Sequence, residues 1–231
     1  MSAAMVLFWD IDGTLLTTAR AGIFAWEDAI RDEVGSPIPL ESFRTAGLTD
    51  IEIAVQLIRV SGREPSPDAV IRLVRAYERH LPSSLPRRAG HVLPNVRAIL
   101  ERLQEIPDVS SLLLTGNTRA GARAKLSHYG LQTFFADGAF SDDTTDRPSI
   151  ARNAMVLARN RVGEVAPDRI YVIGDTPHDI QCGRAIEARV IAVATGGYSL
   201  EELGGLQPWW LLPELPSPDQ FLDRLGLVVP R

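Results

Sequence analysis

Short apolar runs and stretches with helical spacing alternate along most of this chain. Residues 6–9, 111–114, 170–173 and 190–193 are mostly apolar and of strand length, which predicts strands buried on both faces. Between them Val96, Ile99, Leu100, Leu103 and Ile106 recur at helical intervals, and so do Ile150, Ala154, Leu157, Ala158 and Val162. Strand and helix in alternation predict an α/β fold, a parallel sheet wrapped by helices. Near the end, Trp209-Trp210-Leu211-Leu212 and the prolines behind it predict an edge strand and a short last helix.

One segment breaks the alternation. Ile23, Trp26, Ile30 and Val34 form one helical stripe, Ile51, Ala54, Val55 and Ile58 a second, and Ala69, Val70, Leu73, Val74, Tyr77 and Leu81 a third. No strand-like run interrupts them, and Pro- and Gly-containing joints at 35–39, 62–67 and 82–86 separate or follow them. This predicts an all-helical insert at 17–85 within a core formed by 1–16 and 86–231. The alternative is that these helices pack on the sheet as part of one domain.

The ends of the core strands carry the residues with chemistry. The first run stops at Asp10-Ile11-Asp12-Gly13-Thr14. Two acids at the end of a buried strand need a partner or a metal, and the carboxyl ends of such strands are where α/β folds place ligands. An ionised carboxylate can attack phosphorus without a general base, provided a cation relieves repulsion from the phosphate. The second acid can protonate a leaving oxygen and later deprotonate water. The run at 111–114 ends in Thr115-Gly116-Asn117, with a helix start at Thr118: an anion cradle, or an ordinary turn with its N-cap. Two cations could screen the site, Arg147 in Asp146-Arg147-Pro148 and Lys125 two turns into the helix after Thr118. The run at 170–173 leads into Gly174-Asp175-Thr176-Pro177-His178-Asp179, whose two acids suit Mg²⁺ as hard oxygen ligands. His178 reads as a turn or capping residue.

Composition narrows the partners. The net charge is −5 and no long basic run occurs, so nucleic acid has no electrostatic claim on the chain. No apolar stretch approaches the ~20 residues of a membrane helix, and no charged region precedes the first apolar run as in a secretory signal. Cys182 is the only cysteine, which excludes an intrachain disulfide and fits a reducing, cytoplasmic compartment. Lys125 is the only lysine among arginines, so its survival carries some information. No feature predicts an oligomeric state.

Taken together, Asp10-Ile11-Asp12-Gly13-Thr14, Thr115-Gly116-Asn117 and Gly174-Asp175-Thr176-Pro177-His178-Asp179 resemble the haloacid dehalogenase-like superfamily over nearly the whole chain. The similarity is to its phosphoglycolate-phosphatase-like members, with a Rossmann-like core and a helical cap. The resemblance implies a Mg²⁺-dependent phosphatase acting on a small phosphorylated metabolite through an aspartyl-phosphate. Asp10 would be nucleophile and metal ligand, and Asp12 the acid–base that also lends its backbone carbonyl to the metal. Thr115, with Gly116 and Asn117 beside it, would hold the phosphoryl oxygens, and Gly13 and Thr14 would shape the same pocket. Asp175 would complete the metal site, and Asp179 would support it or the cation. Many relatives carry Lys-Pro where this chain has Arg147-Pro148; arginine keeps the charge with a different geometry, so the resemblance favours Arg147 as the cation with Lys125 as the fallback.

In the cap, Gly47-Leu48-Thr49-Asp50 would contact substrate; alternatively it is an interhelical turn in which Thr49 or Asp50 caps the next helix. Thr17, Thr18, Arg20 and Gly22 would form the hinge. Among other reactions of the scaffold, dehalogenation is disfavoured by the acid at Asp12, and phosphonate cleavage by the absence of a lysine from the insert. A phosphomutase uses the same residues and stays open, and a non-catalytic regulatory or binding protein is the rival of a different class.

Overall fold

In the computed structural model, residues 4–35, 38–40, 43, 45–142 and 146–227 are described. The core is a six-stranded, all-parallel sheet in the order β5-β4-β1-β6-β7-β8, built from β1 (Met5–Trp9), β4 (Val109–Leu114), β5 (Gly138–Ala139), β6 (Ile170–Gly174), β7 (Arg189–Val193) and β8 (Trp210–Leu212). The strands expected from the apolar runs are β1, β4, β6 and β7, and 209–212 supplies the edge strand β8. From β1 the chain moves outward to β4 and β5, then returns across β1 to β6. The order therefore reverses around β1, and ligand crevices open at the carboxyl ends of strands at such a reversal. Trp9, the last residue of β1, lies in register with Leu113 on one side and Ile173 on the other. Asp10 thus leaves the sheet at its centre.

Alternate residues of the central strands feed two cores. Leu7, Trp9 and Leu113 face one, with the apolar stripes of α4 (Val96–Gln104), α5 (Arg119–His128) and α9 (Pro218–Leu225). Val6, Phe8 and Leu112 face the other, with α6 (Arg147–Val162) and α7 (Pro177–Ala185). Burial on both faces explains why these strands lack the polar alternation of a half-exposed sheet. The ring of Trp9 stacks on Phe221 of α9 at 5.9 Å, so the last helix locks the strand that carries Asp10.

Helices α1 (Gly22–Val34), α2 (Asp50–Val60) and α3 (Pro67–Ser84) bury their stripes against one another in a cluster of their own, with Trp26 stacked on Tyr77 at 4.0 Å. The chain enters and leaves this cluster beside a short antiparallel pair, β2 (Leu16–Thr17) and β3 (His91–Val92). The joint expected at 82–86 lies further on than its first proline suggests. Helix α3 runs through Pro82 to Ser84, since a proline in the last turn removes few helical hydrogen bonds. Within the joint expected at 35–39, Ser36 and Pro37 fall outside the described residues.

Candidate active site

Three strand ends and the starts of α6 and α7 converge at the centre of the sheet. Asp10, directly after β1, is 5% exposed, and its backbone N–H donates to the carbonyl of Ile173 on β6. Asp175 follows β6, and Asp179 lies in the first turn of α7. One carboxylate oxygen from each of Asp10, Asp175 and Asp179 lies within 4.8 Å of the other two. Thr14 donates its hydroxyl to Asp175 at 3.2 Å. The Thr176 N–H and hydroxyl donate to Asp179 Oδ2 at 3.0 and 2.6 Å, a capping box that starts α7 and fixes the acid. Gly13 has φ +80°, and a side chain there would collide with the Asp175 carboxylate; the turn of the first motif thus requires glycine.

Such a cluster is costly without a cation. Burial, then the neighbouring charge of Asp179, pushes the Asp10 carboxyl up to about 7, and Arg147 pulls against the rise. Asp175 is likewise driven well above the usual carboxylate range, by burial first and then by Asp179 and Asp10. An all-oxygen, anionic, buried donor set fits a hard divalent cation, as the acid spacing predicts. Asp12 stands apart from this cluster. Its side chain is partly open, and Oδ2 accepts from Lys125 Nζ at 2.6 Å and Asn117 Nδ2 at 2.9 Å.

Sequence left Arg147 and Lys125 as alternatives, yet the structure brings both to the site. Lys125, 6% exposed, donates to Asp12 and to Asn117 Oδ1 at 2.6 Å. Burial acts to lower its pKa, but Asp12 and Asp50 outweigh that and hold the ammonium charged. Arg147, the first residue of α6, reaches Asp179 Oδ1 at 3.4 Å and the Gly47 carbonyl at 3.1 Å. The two cations therefore divide the site, Lys125 on the Asp12 side and Arg147 on the Asp10–Asp179 side. Between them, Thr115 is fully buried, and its hydroxyl accepts from Asn117 and offers a hydrogen bond to Asp10. A Cβ at Gly116 would lie 2.7 Å from Arg147 Nη2 and 3.1 Å from the Leu48 carbonyl. Only a glycine lets the arginine and the 47–50 loop approach there together.

That loop docks on the second motif. The Asp50 N–H donates to the Gly116 carbonyl, and the Asp50 carboxylate accepts the Thr118 N–H, both at 2.8 Å. Burial lifts Asp50 to about 6 against the opposing pull of Lys125. Thr49 departs from the expected substrate contact. It is fully buried, its hydroxyl shares a capping box with Glu52 at the start of α2, and it does not line the cavity. Capping takes its polar atoms, and Asp50 is the residue of the pair that reaches the site.

A cavity of about 720 Å³ runs from Asp10 and Asp12 to the three-helix cluster. Sequence reasoning missed part of its wall. Thr195 and Gly196, after β7, line it, with the Thr195 hydroxyl on the Gly13 carbonyl at 2.5 Å; the sequence reading gave this pair no role. Trp26 and Tyr77 line it too, though their helical spacing marked them only as core. Thr17, Thr18, Arg20 and Gly22 border the cavity as well as the junction, where Ala19 and Arg20 hold φ of 48° and 67°. Two consecutive non-glycine residues in this region are strained, as at a point where the chain is held to shape. The His178 ring sits against Gly47, so it braces the loop.

Residues 6–193 match the family model described as haloacid dehalogenase-like hydrolase. The chain belongs to that family. Haloacid dehalogenase-like relatives extend over almost its whole length. The probable phosphatase IndB of Dickeya dadantii is 27% identical over 207 residues, 88% of this chain and 86% of that protein. The crystal structure of a predicted phosphatase from Clostridium acetobutylicum superposes with a TM-score of 0.72 at 16% identity, covering 97% of this chain and 99% of its own. A predicted phosphoglycolate phosphatase from Haemophilus somnus gives 0.71 at 16% identity, covering 97% and 99%. At these identities the two structures speak for the fold alone.

Proposed function

We propose that this hydrolase is a Mg²⁺-dependent phosphomonoesterase that works through an aspartyl-phosphate on Asp10. The observation that carries the reading is the division of the first motif's two acids. Asp10 lies buried in the Asp175–Asp179 cluster, whereas Asp12 faces the cavity, held by Lys125 and Asn117. Asp10, Asp175 and Asp179 would hold the metal, which supplies positive charge against the phosphoryl oxygens. The Asp10 carboxylate attacks phosphorus, the bond from phosphorus to the leaving oxygen breaks, and Asp12 gives that oxygen a proton. Water then attacks the acyl phosphate and loses a proton to Asp12; inorganic phosphate leaves and the Asp10 carboxylate returns. Lys125, Arg147, Thr115 and the backbone at Gly116 and Asn117 steady the phosphoryl group. The α1–α3 unit serves as a cap that closes over the reaction and excludes water, with 17–22 as its hinge. Phosphoryl transfer to a second hydroxyl would make it a mutase on the same residues, distinguished by isomerised sugar phosphate in place of free phosphate. The single cysteine, which can form no intrachain disulfide, supports a reducing, cytoplasmic compartment.

Two tests follow directly from this site. Asp12→Asn is expected to slow phosphate release by about 10²–10⁴-fold while inorganic phosphate still binds; unchanged turnover would remove Asp12 from the chemistry. The second concerns the metal. In the metal-free protein the folded state holds a proton on Asp10 up to about pH 7, whereas the unfolded chain loses it near 3.8. The stability contributed by that proton is fully present below the unfolded value and is lost as pH rises through the folded one. Mg²⁺ near neutral pH therefore relieves a repulsion, and it should raise the thermal unfolding midpoint by several degrees. The rise should shrink in Asp175→Asn; an equal rise in both proteins would place the metal elsewhere.

A further inference from the structure

Tyr77 is 1% exposed and lies under the stacked ring of Trp26, yet it borders the cavity beyond Asp12. Its hydroxyl makes no hydrogen bond to any described residue. Tyr77 and Gly22, the residue beside its hydroxyl, both line the cavity, so the unbonded phenol O–H faces it. A buried donor left without a partner costs free energy that a bound acceptor recovers. Gly22 lies close by, since a Cβ built there would come within 3.9 Å of the hydroxyl, and Gly121 admits the ring edge from the side of α5.

The surroundings of that hydroxyl define what it can receive. The charged groups that raise its pKa beyond the effect of burial are all acids: Asp50, Asp12 and Glu78. Asp50 Oδ2 and the edge of the Tyr77 ring lie 3.1 and 3.7 Å from the same Cβ position built at Gly121, and Glu78, the next residue of α3, accepts from the Thr118 hydroxyl at 2.6 Å. Lys125, Arg20 and Arg147 are the cations that line the cavity, and Lys125 is engaged by Asp12 and Asn117. A carboxylate placed at this point would meet three like charges. A neutral hydroxyl suffers no such repulsion; it can accept from Tyr77 and donate to a carboxylate. Ile23, Ile53 and the edge of Trp26 add an apolar wall that suits the carbon face of the same group.

We infer that Tyr77 is a specificity-determining residue whose O–H donates to a hydroxyl of the leaving group, selecting neutral, hydroxylated phosphate esters over carboxylate-bearing ones. The inference deepens the phosphomonoesterase reading and rests on it. It is tested by kcat/KM for the wild-type and Tyr77→Phe proteins with Mg²⁺. The panel contains glycerol 3-phosphate, ribose 5-phosphate, glucose 6-phosphate, propyl phosphate and phosphoglycolate, with p-nitrophenyl phosphate as the reporter of basal chemistry. The phenylalanine keeps the ring stack and removes one oxygen, and thermal unfolding verifies that the fold is retained. Wild type is expected to prefer at least one hydroxylated ester to both propyl phosphate and phosphoglycolate. In Tyr77→Phe that preference over propyl phosphate should fall by about 10-fold or more, chiefly through the hydroxylated ester.

A wild-type preference for phosphoglycolate or propyl phosphate would overturn the inference, and so would a preference unchanged in Tyr77→Phe. A loss of equal size on every ester would also overturn it, because a structural role produces that pattern. Hydrolysis of p-nitrophenyl phosphate by wild type, abolished in Asp10→Asn, keeps the phosphatase reading intact in each of those cases. If wild type hydrolyses none of the esters, both fall together.

Discussion

Asn in place of Asp10 is expected to end phosphate release, lowering kcat by about 10⁴-fold or more, while making the metal-free protein more stable near neutral pH. Both effects come from one carboxylate. As the proposed nucleophile it has no substitute in the cavity, because Asp12 is tied to Lys125 and Asn117 and lies outside the Asp175–Asp179 cluster. As a buried charge it is costly: burial and Asp179 hold it at about 7 against an ordinary 3.8. Above that pH the ionised group opposes folding by up to about 4 kcal/mol on the linkage relation, and an uncharged amide of the same shape removes the opposition. A variant that is dead yet melts later is the signature of a residue placed for chemistry at the expense of stability. Thermal unfolding of apo wild type and Asp10→Asn across pH, beside a phosphate-release assay, reads both. Equal stability of the two proteins above neutrality would contradict the burial argument.

The two cations should fail in different ways. Arg147 and Asp179 are both almost fully buried, so Arg147→Met leaves Asp179 without its cation and should cost about 3–5 kcal/mol of stability. Lys125 pairs with an Asp12 side chain that is 42% exposed, where water shares the charge. Lys125→Met should therefore cost less in folding and more in turnover, about 10²–10³-fold, because it frees Asp12 and removes positive charge beside the phosphoryl group. Urea unfolding and steady-state kinetics on both variants separate the roles. A larger stability loss in Lys125→Met than in Arg147→Met would reverse the assignment.

The features legible in sequence share a physical reason. Strands β1, β4, β6 and β7 are buried on both faces, so each writes an uninterrupted apolar run; β5 is two residues long and writes nothing. Acids at strand ends are conspicuous because apolar neighbours make them costly. Asp10, Asp12, Asp175 and Asp179 could thus be named in advance, and the structure gathers three of them within 4.8 Å. The sequence reading favoured Arg147 over Lys125, but which cation reaches the site depends on how α5 and α6 approach the sheet; both approach. Thr49 and Asp50 are neighbours with the same apparent promise, but a helix start consumed one and left the other. Tyr77 was hidden for a different reason: a stripe at helical spacing marks burial, and a ring can be buried while its one polar atom faces a cavity.

The most direct measurement is an acid quench of wild-type enzyme during turnover of p-nitrophenyl phosphate with Mg²⁺, followed by peptide mass analysis. The account predicts the mass of one phosphoryl group on the peptide that holds residues 6–12, located on Asp10 and absent from Asp10→Asn. Turnover with no such adduct, or an adduct on another side chain, would contradict it.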